Sequence, residues 1–399
     1  MSTLLILHAS CGAGHRRAAE AIATRAAHRP GGPLRVVVRD VLDFAPSPYR
    51  HSYSRGYAAL VRKAPRLWGG LYAATDGDGL RAGGRALLRL CDRAAVGRGL
   101  RRAVRDLAPD AVVATHFLPL AILAGRERDA EGGPPLTGVV TDYHAHSLWA
   151  APGVCAYAVP SEEAASDLAE RGIPRDRLTV TGIPVDPGFA PVGARRPAPP
   201  DGGLRRILIL SGGAGVGGLG NLLTALDAAF GDLEITVSAG DNRPLAAALT
   251  HLAARLRSRV RVVGIVSGIE RLIGDADLLL TKPGGLTVTE AAVARVPLVL
   301  FPGIPGQEEA NARIFERAGA ARLGATPDRV VGEVRRLRED PIARRRMHEA
   351  QARLGRPEAA DRILALALGT TRLDPVSLVR TAAGSAAADP ARAAEAGAP

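Results

Sequence analysis

Cysteine is scarce. The 399 residues hold three, Cys11, Cys91 and Cys155, too few and too widely spaced for a disulfide framework or a cysteine-ligated metal site. A reducing, cytoplasmic setting is therefore expected. Lysine is scarcer still, with Lys63 and Lys282 the only two among 52 basic side chains, so arginine carries the net charge of +12. No uninterrupted apolar run reaches the roughly 18 residues that a membrane-spanning helix needs. The N-terminal run Leu4 to Leu7 has neither a basic flank nor a cleavage signal, so it reads as a buried strand. What is plentiful is ordinary: 47% hydrophobic and 23% charged residues exclude the disordered and collagen-like classes for most of the chain. At about 150 residues per domain, two domains are expected.

Both halves open in the same way. Strand Leu4 to Leu7 leads through Ser10-Cys11-Gly12-Ala13-Gly14-His15 into a run of helix formers; strand Arg206 to Leu210 leads through 211–218 into another. Further short β-rich runs read as buried strands at 34–38, 111–114, 138–141, 234–237, 260–263, 277–280 and 298–301. Strands alternating with helices predict an α/β protein of two Rossmann-like parallel-sheet domains facing a central cleft. The expected division is a first domain over 1–184, a Pro/Gly-rich linker over 185–205, a second domain over 206–369 and a disordered tail over 370–399.

Three glycine-rich segments lie at strand-to-helix junctions: 10–15, 211–218 and 283–285. Glycine there lets backbone N–H groups approach an anion, and the following helix N-terminus adds partial positive charge. No Gly-Lys-Ser/Thr follows, so none is a Walker A loop, and no clear ribose-holding acid closes the next strand as a nicotinamide site requires. Downstream, Glu290 falls one turn into a helix, suited to accept both hydroxyls of a ribose. Gln307, Glu308 and Asn311 open another helix, a set of donors and acceptors that a sugar needs. N-capping and solvated helix charge are the alternative reading for each of these singly.

The charge is uneven. Residues 47–106 hold thirteen Arg/Lys against four Asp/Glu, and six of the fourteen aromatics lie within 44–72. Tyr53, Tyr57 and Trp68 beside these cations suit a helix lying on an anionic leaflet; inward-packed tyrosines on a basic surface helix are the alternative. No nucleic-acid motif accompanies the charge, so no nucleic-acid partner is expected. His15 sits at the glycine loop facing the presumed cleft, where a neutral imidazole can take a proton from an attacking hydroxyl. His116 and His146, with Asp142, are candidates for the acceptor side. No third ligand joins His144 and His146, so no metal is expected.

The segments Thr281-Lys282-Pro283-Gly284-Gly285, Thr289-Glu290-Ala291 and Pro305-Gly306-Gln307-Glu308-Glu309-Ala310-Asn311 resemble the donor-site signature of the monogalactosyldiacylglycerol synthase and processive diacylglycerol glucosyltransferase family. Gly12-Ala13-Gly14-His15, Thr141-Asp142-Tyr143 and Val180-Thr181-Gly182-Ile183-Pro184 resemble its other motifs, in the family's order. The resemblance implies the GT-B fold and metal-free, inverting transfer of a hexose from a UDP-sugar to diacylglycerol, and the basic, aromatic stretch adds the expectation of peripheral attachment to the inner face of the cell membrane through anionic lipids. It implies a donor site of Gly213, Lys282, Gly284, Gly285, Thr287, Glu290, Gln307, Glu308 and Asn311. Within it, Glu290 holds the ribose, Gly213 and Gly285 approach the diphosphate, and Gln307, Glu308 and Asn311 contact the sugar. His15 is the implied base. Ala310, where the family commonly has Gly, and Tyr143-His144-Ala145-His146 depart from the pattern. The competing readings are a soluble transferase for a hydrophobic natural product, a nucleotide-sugar epimerase and, more distantly, a non-catalytic sugar-nucleotide sensor.

Overall fold

The structure, a computed structural model, describes residues 2–29, 33–76, 91–124, 133–196, 203–212 and 218–369. Two six-stranded sheets organise the chain. The first contains β1 (Ser2–His8), β2 (Leu34–Asp40), β3 (Ala111–Ala114), β4 (Leu136–Val139), β5 (Ala156–Val159) and β6 (Leu178–Val180), in the order β2-β1-β3-β4-β5-β6. The second contains β7 (Arg206–Leu210), β8 (Glu234–Ser238), β9 (Arg259–Val263), β10 (Leu278–Thr281), β11 (Leu298–Leu300) and β12 (Arg322–Leu323), in the order β12-β11-β10-β7-β8-β9. Every pairing is parallel.

Parallel strands need helical crossovers that cover both faces, and the side chains obey this: Leu4 to Leu7 and Leu278 to Thr281 are buried throughout. The strand expected at 138–141 instead runs Leu136–Val139. Its register sets Gly138 opposite Tyr157, whose ring would lie 2.8 Å from a Cβ at that glycine. The strand order reverses between β1 and β3 and again between β7 and β10. In open α/β sheets, ligands bind beyond the carboxyl ends of the strands at such points. His15 follows β1, and Lys282 to Gly285 follow β10.

Inside the proline-rich stretch, Phe189–Arg195 form a helix, and Phe189 joins the second core beside Val288 and Val293. The helix Ala359–Ala367 crosses back to the first sheet, where Ile363, Leu364 and Ala367 pack with Leu4, Ile6 and Val113. Gly213, part of the stretch read as a linker and the stretch read as a tail lie outside the described residues. Among the described residues, no helix is long and apolar enough to cross a membrane.

Candidate functional site

The first domain contributes the opening turns of the helix Ala13–Ala27. After β1 the chain turns at Gly12, whose φ of 100° favours glycine, and enters that helix. His15 is half-buried at its start. Its Nδ1 lies 2.8 Å from the Thr115 carbonyl, which can only accept, so Nδ1 carries the proton and Nε2 keeps the lone pair. The Thr115 hydroxyl donates to the His15 carbonyl at 2.8 Å, and the His116 ring meets the His15 ring edge to face at 4.5 Å. Burial pushes His15 down to about 4 against the opposing Thr115 bond, so the ring is neutral at physiological pH. His116 itself is buried, and its Nδ1 caps the helix Phe117–Leu123 by accepting from the Leu118 amide at 3.0 Å.

The second domain contributes the helices Gly285–Ala294 and Gln307–Arg317. Glu290 is 1% exposed. Arg17, from the first domain, donates through Nη2 to Glu290 Oε1, while Oε2 is buried with no hydrogen-bond partner. Burial pushes the carboxyl up to about 7, with Arg17 opposing it. Gln307 also holds a buried amide oxygen, Oε1, with no partner. Lys282 donates to Glu308 Oε1, and the Ile304 amide donates to Glu308 Oε2 at 2.7 Å. Gly284 caps the helix Gly285–Ala294, and Thr287 is half-buried in its first turn. Two orphaned oxygen acceptors thus stand beside a cation and a helix N-terminus. A buried acceptor left unbonded costs about 1–3 kcal/mol, so a ligand bearing hydroxyl donors is the natural complement.

The two domains meet at these same elements. Asn311, fully buried, accepts from the Tyr143 amide at 2.8 Å and donates to Asp142 Oδ1 and the Pro283 carbonyl, each at 3.0 Å. Its amide is therefore committed to the interdomain contact, whereas the sequence reading set it on the sugar. The Tyr143 hydroxyl pairs with Thr289 at 3.0 Å. A Cβ at Gly285 would stand 2.2 Å from the Thr141 carbonyl oxygen, so only glycine allows the first domain this close. Burial raises Asp142 to about 6, partly offset by the Asn311 bond.

The helix Pro65–Asp76 rests on the turn before the helix Gln307–Arg317, with Gly69 against Pro305. Its Tyr72 ring lies 2.5 Å from the position of a Cβ on Gly306, immediately before Gln307. Trp68 lies half-buried next to Tyr72, their centroids 6.3 Å apart, while Leu67 and Leu71 are 65% and 44% exposed. His144 holds the end of this helix, with Nε2 2.6 Å from Asp76 and Nδ1 2.9 Å from Asp167. Those two carboxylates, Asp167 first, raise His144 to about 9 against its burial. His146 is buried, contacts the Tyr72 carbonyl through Nε2 at 3.2 Å and accepts from the Leu148 amide through Nδ1. Both ring nitrogens are thus engaged within the first domain. Tyr53, expected at a lipid surface, stacks on Tyr49 at 5.6 Å and packs against the first core. The Tyr57 side chain lies outside the described residues.

The structure brings His15, through Thr141, and Asp142 up to Gly285, with Gly284, Lys282 and Glu308 in contact beside it, while Glu290 meets the first domain through Arg17; Thr287 and Gln307 stand on the same two helices. His116 and His146 support these contacts from within the first domain. Arg17 was not expected; it is one of many arginines, and no spacing in the sequence reveals a partner 273 residues away.

A model of the monogalactosyldiacylglycerol synthase family matches residues 15–185, and the glycosyltransferase family 28 C-terminal domain matches residues 220–363. Two curated relatives, both named processive diacylglycerol beta-glucosyltransferase, from Bacillus cereus (strain AH820) and Bacillus anthracis (strain CDC 684 / NRRL 3495), are each 29% identical over 276 residues, covering 67% of this chain and 69% of theirs. Among solved structures, Acinetobacter baumannii MurG aligns with a TM-score of 0.59 at 18% identity, covering 92% of this chain and all of that one. The UDP-GlcNAc 2-epimerase of Neisseria meningitidis, bound to UDP-GlcNAc, aligns at 0.59 and 15% identity with the same coverage. These likenesses establish the two-domain GT-B fold, and the chain is similar to the monogalactosyldiacylglycerol synthase family over its first half and to the glycosyltransferase family 28 C-terminal domain over its second.

Proposed function

We propose that the protein moves a hexose from a UDP-sugar to the free hydroxyl of diacylglycerol at a membrane surface, with inversion at the anomeric carbon. The observation that carries this reading is the pair of buried, unpartnered oxygens, Glu290 Oε2 and Gln307 Oε1, on the second-domain helices that meet the first domain. Glu290 accepts from the ribose hydroxyls and Gln307 from the hexose. His15 Nε2 takes the proton of the lipid hydroxyl as its oxygen bonds to the anomeric carbon. The bond from that carbon to the UDP oxygen breaks, and its electron pair leaves on the diphosphate. Lys282 and the N-terminus of the helix Gly285–Ala294 stabilise that charge. The products are a glycosyl-diacylglycerol and UDP.

The helix Pro65–Asp76 supports the membrane part. Leu67 and Leu71 are four residues apart on one exposed face, Lys63 and Arg66 lie beside them in the sequence, and Gly69 and Tyr72 meet Pro305 and Gly306 of the second domain. Apolar residues with flanking cations suit insertion at an anionic interface. The test is incubation with UDP-glucose and UDP-galactose in the presence of diacylglycerol vesicles with and without phosphatidylglycerol, resolving lipid products by mass. A hexosyl-diacylglycerol made with one donor, faster on anionic vesicles, is expected. UDP-sugar consumption without any lipid product overturns the reading.

A further inference from the structure

Glu290 is 1% exposed, yet among the described residues the side chain that bonds its carboxylate belongs to the other domain. Arg17 sits in the first turns of the helix Ala13–Ala27, two residues beyond His15, and binds Oε1 while leaving Oε2 unsatisfied. Side-chain exposure is 31% for Arg17 and 1% for Glu290, so solvent reaches the pair only from the arginine side. A carboxylate held by one oxygen has its second oxygen fixed in direction, which is how a binding group is preorganised.

We infer that Arg17 is a positioning residue of the donor site, reaching from the first domain to orient the Glu290 carboxylate toward the nucleotide and so coupling donor binding to closure of the two domains. This rests on the reading of Glu290 as the ribose acceptor. The surroundings of Glu290 make Arg17 hard to replace. Asp186, after β6, and Glu270, in the helix Ile269–Asp275, both act on it with like charge, and Arg17 is the opposing cation. In this contact burial and these two acids favour the protonated form, which offers a ribose fewer acceptors. With the domains together, Arg17 favours the carboxylate. The same helix turn thus carries the proposed base toward the acceptor and the orienting cation toward the donor, and closure sets both at once.

The experiment measures UDP affinity by calorimetry from pH 6 to 9 for wild type, Arg17→Gln, Arg17→Lys and Glu290→Gln. The terminal phosphate of UDP titrates near pH 6 itself, so Glu290→Gln supplies the baseline. Wild-type affinity should rise with a midpoint near 7, set by Glu290. Removing an opposite charge at contact distance moves a carboxyl by roughly 1–3 units. Arg17→Gln should therefore shift that midpoint up by at least one unit and bind UDP about tenfold more weakly at neutral pH, while Arg17→Lys restores most of the wild-type profile. An Arg17→Gln profile superimposed on wild type overturns the inference. A thermal double-mutant cycle of Arg17→Gln with Glu290→Gln, without nucleotide, judges the pair independently, and zero coupling overturns it as well. Wild-type protein that binds no UDP refutes the donor reading, and the cycle still decides whether the pair links the domains.

Discussion

Replacing Gly285 by alanine adds one methyl group at the point where the first domain rests on the second. Locally the change is favourable, because alanine is the better helix former by up to about 1 kcal/mol. The difficulty is external: the new Cβ would stand 2.2 Å from the Thr141 carbonyl oxygen, 2.9 Å from Asp142 Oδ1 and 3.2 Å from Asp142 Cα. Two of these three atoms are backbone, anchored just beyond β4, so they cannot swing aside as a flexible side chain would. Relief of such overlap costs roughly 1–3 kcal/mol. The cheapest relief is a parting of the domains, which loosens the Tyr143–Asn311 and Asp142–Asn311 bonds on the same side. A penalty of that size lowers the closed population by about 5–150-fold relative to the open one. The assay is kcat/KM for hexosyl transfer together with solution X-ray scattering of the nucleotide-free protein. A fall of that order with a more extended scattering profile is expected. Wild-type turnover and a compact profile would show that the interface tolerates the methyl group. Lost turnover with a compact profile would place the methyl against the donor, not against the first domain.

Gln307→Ala removes one orphaned acceptor and should slow transfer about 5–150-fold, equivalent to about 1–3 kcal/mol, with UDP affinity unchanged; weakened UDP binding would move Gln307 off the sugar. His15→Ala should lower kcat at least about a hundredfold. A base must be deprotonated, so turnover falls as pH drops through its pKa. With His15 pushed down to about 4, wild-type kcat should stay flat down to about pH 5, whereas an acid limb centred near 6 would identify Asp142 as the base. His144, raised to about 9 by Asp167 and Asp76, lends stability that is complete below its unfolded value of 6.5 and is lost as pH rises through 9. Melting temperature should therefore drop between pH 7 and 10, and His144→Gln should remove that drop; an unchanged drop would exclude this network.

The sheets were legible because each strand is a local matter. Buried parallel strands show as short apolar runs, and Glu290 and Gln307 stand at fixed offsets from glycine turns that follow strands. The strands β5 and β6 escaped notice because Ala156–Val159 is half alanine, a helix former, and Leu178–Val180 is three residues long. What lay beyond the sequence was apposition. Asn311 has the chemistry to read a sugar, but the approach of Tyr143 and Asp142 consumes its amide. His146 has the look of a cleft histidine, yet the helix Pro65–Asp76 buries it. The tyrosine spacing at 49 and 53 was consistent with either surface, and packing against the first core decided it.

The returning helix Ala359–Ala367 ties the order of synthesis to the order of folding. The side chains that cover Leu4 and Ile6, those of Ile363 and Leu364, are made some 360 positions after them. At roughly 5–20 residues per second, the ribosome leaves that face of the first sheet without its cover for about 20–70 s. A nascent first domain therefore exposes a strip of leucine, isoleucine and valine while the second domain is still being assembled. The first domain expressed alone, ending at residue 184, would keep that strip permanently, and its solubility would depend on supplying the last helix in trans.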